Sequence, residues 1–183
     1  MNTTALISQI HASPLMAVLV VTGGGVQALA DLLTVPGASR TVLEALVPYS
    51  EQSLAEFLGA LPVRSVSIET AAALARLASQ RAIQLRKDIT VPVIGLSCTA
   101  ALVTDRPKKG AHRAHVGVSS GAQTRVYSLT LQKSARDRHG EERLVSDLLL
   151  RTLAEMCGID AVKELTLLAG EQVIVQDVYR EPK

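Results

Sequence analysis

The sequence predicts an α/β layered domain, and three observations carry that expectation. Short, continuously apolar runs at 15–21, 41–47 and 91–100 alternate with stretches of helical periodicity. The first run stops at Thr22, and Gly23, Gly24 and Gly25 then make a bare turn into an apolar helical stretch. Further on, Tyr127, Leu129 and Leu131 alternate with Val126, Ser128 and Thr130, as in a strand with two different faces.

Taken in order, residues 1–14 read as a short helix or arm ending at Pro14. Residues 15–21 read as a buried strand and 26–33 as a helix, with Pro36-Gly37 punctuating the turn that follows. The run 41–47 is a second strand stopped by Pro48; Ser50 then caps a helix that Gly59 ends. Ser67 opens an Ala-rich helix over 67–86, whose Ala75, Ala78, Ala82 and Leu85 form a narrow stripe that lets it lie close to a sheet. A third strand at 91–100 runs into a polar, basic loop at 102–114. Segments 115–120 and 124–132 pair as a hairpin around Gly121. Residues 137–157 form an amphipathic helix with Val145, Leu148, Leu149, Leu153 and Met156 on one face, ended by Gly158. The tail over 165–179 reads as one more hairpin.

The 183 residues suit one domain, 1–183, with its core over about 15–157 and a C-terminal hairpin extension over 159–183. Hydrophobic residues at 48% and charged residues at 20% describe a globular chain. Aromatics are only 2%, with no Trp and Phe57 the one Phe, so the core must be aliphatic, and the stacking platforms of single-strand binders are missing. A net charge of +2 gives no sign of a nucleic-acid partner. The run 15–21 is far shorter than the ~20 residues that span a membrane, and no signal peptide is expected. Cys98 and Cys157 make no disulfide framework, which points to a cytoplasmic location.

The glycine turn is the first candidate site. A strand-to-helix turn leaves backbone N–H groups unpaired, and glycines remove the Cβ atoms that keep a ligand away. Gly23, Gly24 and Gly25 can therefore bind an anion, most naturally a phosphate, or simply form a tight turn. Gly23-x-Gly25-x-x-Ala28 also fits a dinucleotide fingerprint with Glu44 as the acidic residue, but Glu44 falls inside the second strand, so no NAD or other cofactor is expected. The second candidate is the polar stretch 96–113. Ser97, Cys98 and Thr99 lie where a strand ends, and Cys98 could serve as a nucleophile if His112 met it as base. Thr104, Asp105, Arg106 and Arg113 can hold a sugar phosphate, or form a solvated loop. His112, His115 and Asp105 make no metal-binding pattern, so no metal is expected. Ser39 and Arg40 can touch ligand or serve a turn.

Beyond these separate readings, the order of motifs resembles the C-terminal domain of the competence/damage-inducible CinA family, in a divergent branch. The resemblance rests on "VVTGGG" and "VPGAS" (20–25 and 35–39), "VPYSEQSLAEFLG" (47–59), "VRSVSIETAAALA" (63–75), "IGLSCTA" (94–100) and "PKKGAHRAHVGV" (107–118). It implies a three-layer α/β/α sandwich with a mixed sheet. It also implies a small-molecule nucleotide as partner, and hydrolysis of the carboxamide of nicotinamide mononucleotide with release of ammonia. Under that resemblance Thr22 takes the place of the family's nucleophilic serine, Tyr49 positions the substrate, and Arg106 or Arg113 holds phosphate. The family's lysine, five residues after the tyrosine, is Leu54 here, with Lys108 or Lys109 as substitutes if their loop folds over the site. A hydroxyl without such a partner is a weak nucleophile near neutral pH. The competing expectations are an inactive nucleotide-binding or regulatory module and a hydrolase built on Cys98. Self-association is expected, because an added hairpin leaves a sheet edge to cover.

Overall fold

The computed structural model describes residues 2–106, 109–160 and 164–180. Its elements are α1 (Thr3–Ala12), β1 (Met16–Thr22), α2 (Val26–Thr34), a 3-10 turn (Ala38–Arg40), β2 (Val42–Leu46), α3 (Glu51–Leu58), α4 (Ile68–Leu85), β3 (Val93–Ala101), β4 (His112–Ser119), β5 (Gln123–Leu131), α5 (Arg138–Met156) and β6 (Gln172–Arg180). The six strands form one mixed sheet in the order β2-β1-β3-β4-β5-β6. β1 runs parallel to β2 and β3, and the remaining neighbours are antiparallel.

Local chemistry sets the helix starts. Ser50 and Ser67 accept hydrogen bonds from the Ser53 and Thr70 amides, as read from the sequence. Asp137 does the same for Gly140 at the start of α5.

Strand alternation divides the core in two. Ala17, Leu19 and Val21 of β1 face α1, α2 and α5 together with Leu96, Cys98, Val116 and Leu129. Val18 and Val20 face the other way, onto Leu54 of α3 and Leu74, Ala78 and Ala82 of α4. The result is the expected three layers, helices on both faces of a sheet.

Glycines let α4 sit with its backbone against the sheet. A Cβ at Gly95 would lie 2.1 Å from both the Ala75 carbonyl oxygen and the Ser79 amide nitrogen. One at Gly117 would lie 2.6 Å from the Ala71 carbonyl oxygen. The Ser97 hydroxyl donates to that same Ala71 carbonyl at 2.7 Å, tying β3 to the helix. His11 pins the opposite layer. Its Nδ1 lies 2.8 Å from the Thr41 hydroxyl and its Nε2 3.0 Å from the Leu32 carbonyl, which joins α1 to the chain entering β2.

Two expectations need correction. The basic loop ends earlier than 114, because β4 begins at His112, whose strand partner is Leu131. The tail is also not a hairpin. Residues 164–171 form no strand, and β6 alone pairs with β5, from Thr130 opposite Gln172 to Gln123 opposite Arg180. The last strand of the tail is present, but its hydrogen-bonding partner is the edge of β5. Glu171 fixes the entry to β6: its carboxylate accepts from the Gln132 and Leu168 amides and pairs with Arg136. Burial pushes this carboxyl upward, yet the Arg136 guanidinium and the two amides outweigh burial and hold it below the ordinary range.

Three outcomes follow for equilibrium urea unfolding. Gly95→Ala must push α4 off the sheet and should destabilise by about 3 kcal/mol. Ser79→Ala should stabilise by about 1 kcal/mol, because the buried Ser79 hydroxyl has no hydrogen-bond partner among the described residues. The stability that Glu171 contributes through its lowered pKa should be full above the ordinary carboxylate value of about 4.3 and fade as pH falls through the depressed one. The gap between wild type and Glu171→Gln should therefore hold near neutral pH and narrow as pH falls below about 4.3.

Candidate ligand crevice

The chain leaves β1 through α2 on one face of the sheet and returns to β3 through α3 and α4 on the other. The carboxyl ends of β1 and β3 therefore flank a topological switch point, where open α/β sheets bind ligands. Thr22 stands opposite Thr99 at this point. The register continues the row across the sheet: Thr99 faces His115, and His115 faces Ser128. These four polar side chains share the α4 face.

Thr22 is 7% exposed, and its hydroxyl makes no hydrogen bond among the described residues. The Thr99 hydroxyl donates to the Ser65 carbonyl, which anchors the 59–67 loop over β3. His115 lies 2.9 Å from the Ser128 hydroxyl through Nδ1. Burial lowers the His115 pKa, the Arg113 guanidinium adds to that, and Glu69 opposes both. Arg113 donates to the Val66 and Ala111 carbonyls. Separately, Leu58, Leu61, Val63, Ser67, Glu69 and Thr70 line a cavity of about 620 Å³ between α3 and α4, and none of the four row residues lines it.

The glycine turn is built as a close approach. Gly23 and Gly25 have φ of 76° and 91°, and a Cβ at Gly23 would lie 2.0 Å from the Ala100 carbonyl oxygen. At Gly24 the nearest atoms would be Leu102, Ala100 and Glu142; at Gly25 they would be Leu149 and Cys98. Two α2 amides are already engaged by α5. Glu142 accepts from Gln27 N–H at 3.1 Å, and the Ser146 hydroxyl accepts from Ala28 N–H at 3.1 Å while donating to Glu142 at 3.2 Å. Arg138 donates to the Gly23 carbonyl at 2.9 Å and to the Val103 carbonyl at 3.3 Å. The negative charge at this helix start is thus supplied by the protein itself. Glu142, Ser146 and Arg138 were not singled out in the sequence; the only signal was the i, i+4 spacing of Glu142 and Ser146 on a predicted helix.

The remaining candidates scatter. Cys98 is fully buried on the α5 face, where burial, and then Glu142, pushes its thiol far above the ordinary range. His112 faces the same side but lies level with Leu131, four residues along the strand from Cys98's partner Val116, or roughly 13 Å away. Its Nδ1 instead meets the buried Glu141 carboxylate at 2.6 Å, and Glu141 also accepts from the Val103 amide. Thr104 closes a local turn onto the Arg106 carbonyl, and Asp105 and Arg106 are solvated loop residues. Tyr49 is 67% exposed beyond the end of β2, whereas Leu54 is 2% exposed within the α3–α4 core. Ser39 lies in the 3-10 turn before β2, at the end of the sheet opposite Thr22. Ser97 is spent on α4. Lys109 is exposed, and Lys108 lies outside the described residues. Among the described residues no group of three or more His, Cys, Asp or Glu side chains could hold a metal ion, and no helix is long and apolar enough to cross a membrane.

The fold places the chain in the class of open α/β domains with helices on both faces of a mixed sheet. Within that class its architecture is the CinA superfamily fold. A CinA superfamily protein from Escherichia coli superposes with a TM-score of 0.64 at 17% identity, covering 84% of this chain and 87% of that one. A competence or damage-inducible protein from Enterobacter asburiae gives 0.63 at 14% identity, over 86% and 98% of the two chains. One from Agrobacterium tumefaciens gives 0.56 at 19% identity, over 84% and 92%. No protein-family sequence profile and no curated protein sequence matches the chain.

Two outcomes test this description. Glu142→Ala should cost about 1–2 kcal/mol in thermal or urea unfolding, as loss of a helix N-terminal acceptor does. Cys98 should resist iodoacetamide in the folded protein and react only after denaturation, as peptide mass spectrometry would record.

Proposed function

We propose that this chain is a CinA-type domain that binds a nicotinamide mononucleotide-like ligand in the crevice beside Thr22 and Thr99 and has lost the family's amide hydrolysis. The supporting observation is Leu54. It occupies the position the resemblance assigns to the lysine, and it packs with Val18, Val20, Leu74 and Ala78. Among the described residues Thr22 has no basic side chain in hydrogen-bond contact, and an unassisted hydroxyl is a poor nucleophile.

A second reading keeps hydrolysis, with Thr22 as nucleophile. It is favoured by the Thr22 hydroxyl itself, which stands at the carboxyl end of β1 with no hydrogen bond among the described residues. Incubation of the full chain with nicotinamide mononucleotide, with ammonia measured beside calorimetric binding, separates the two. Heat of binding without ammonia is the expected result. Ammonia release that disappears in Thr22→Ala would establish the second reading. Neither heat nor ammonia would exclude this ligand.

A further inference from the structure

We infer that His115 is the side chain through which the crevice recognises a phosphate monoester, with Ser128 holding its ring in place. As a nucleotide contact, this rests on the reading just given.

The chain contains its own comparison. His11 is buried with both ring nitrogens hydrogen-bonded, Nδ1 to Thr41 and Nε2 to the Leu32 carbonyl, as a purely structural histidine should be. His115 is also buried, at 8% exposure, but only Nδ1 is bonded, to Ser128. Its Nε2 has no partner among the described residues and is not sealed from solvent. A ring fixed at one nitrogen and open at the other is arranged for a ligand.

The surroundings select the ligand's chemistry. Four elements present groups to His115: Thr99 from β3, Ser128 from β5, Glu69 from α4, and Arg113 from its own strand β4. Glu69 sits at the start of α4, where its own backbone amide and then Ser67 hold its carboxyl below the ordinary range. Arg113 bonds only backbone carbonyls and has no carboxylate partner among the described residues, so its charge is uncompensated. An open imidazole next to an uncompensated guanidinium, with hydroxyls alongside, suits a phosphate rather than a cation or an apolar group. Ser128 fits both protonation states of the ring. Its hydroxyl donates to Nδ1 when Nε2 carries the proton, and rotates to accept when the imidazole is charged.

A bound phosphate dianion stabilises the imidazolium and raises the pKa of His115. His115's share of the affinity is therefore greatest at low pH and declines as pH rises through the pKa of the complex. Comparison with His115→Gln removes the phosphate's own titration near pH 6, which otherwise overlaps.

The experiment is calorimetry on the full chain with nicotinamide mononucleotide, nicotinamide riboside and inorganic phosphate. It is joined to NMR titration of the His115 ring proton, assigned by its loss in His115→Gln. The mononucleotide should bind roughly tenfold or more tighter than the riboside. His115→Gln should erase that preference and its pH dependence, and Ser128→Ala should reduce it. Equal binding of mononucleotide and riboside, or an undiminished preference in His115→Gln, would overturn the inference. If neither nicotinamide compound binds, the nucleotide reading fails. Phosphate then decides alone: a shift of the His115 resonance sustains a phosphate site, and an unmoved resonance refutes it.

Discussion

The contact on which the rest depends is the approach of α4 to β3 and β4. Helices usually stand about 10 Å from a sheet because side chains intervene. Here Gly95 and Gly117 have none to intervene, and Ala71, Ala75 and Ala78 are small enough to follow. The close seat fixes where α4 begins. That point in turn fixes the 59–67 loop, which Thr99 and Arg113 hold through the Ser65 and Val66 carbonyls. The middle of the row is therefore shaped by Gly95, on the strand of Thr99, and by Gly117, on the strand of His115.

A second constraint acts on the other face. The start of α2 is positively polarised, and in many folds a ligand phosphate neutralises it. In this chain α5 does so, with Glu142 and Ser146 on the Gln27 and Ala28 amides and Arg138 on the Gly23 carbonyl. The turn is consequently part of the packing between α2 and α5. Any ligand at the switch point is left to the side chains of the opposite face, and that is the face where polar groups gather.

Sequence reading recovered the elements well, because the aliphatic runs, the serine caps and the Ala stripe are local signals. It failed where a partner lies far along the chain. The alternation at 172–179 specifies a strand but does not say that β5, rather than 165–168, will pair with it. Likewise, three glycines announce a backbone approach, yet nothing near them reveals that the approaching atoms belong to Ala100, Leu102 and Leu149. Strand parity was legible at 126–131, but the row of Thr22, Thr99, His115 and Ser128 exists only once four strands are in register. Cys98 looked reactive because strand ends are common places for chemistry; its face of the strand, set by the same parity, turns it into the core instead.

The chain has no tryptophan, and of its three tyrosines Tyr49 and Tyr179 are well exposed while Tyr127 is 5% exposed. The Tyr127 hydroxyl donates to Glu155 of α5 at 2.7 Å, and its strand partner across the edge is Val175 of β6. Burial, followed by that carboxylate, pushes its phenol upward. This single ring is thus a native optical reporter for the junction of α5, β5 and β6: its absorbance and near-ultraviolet dichroism register whether the last strand is seated, without any introduced label.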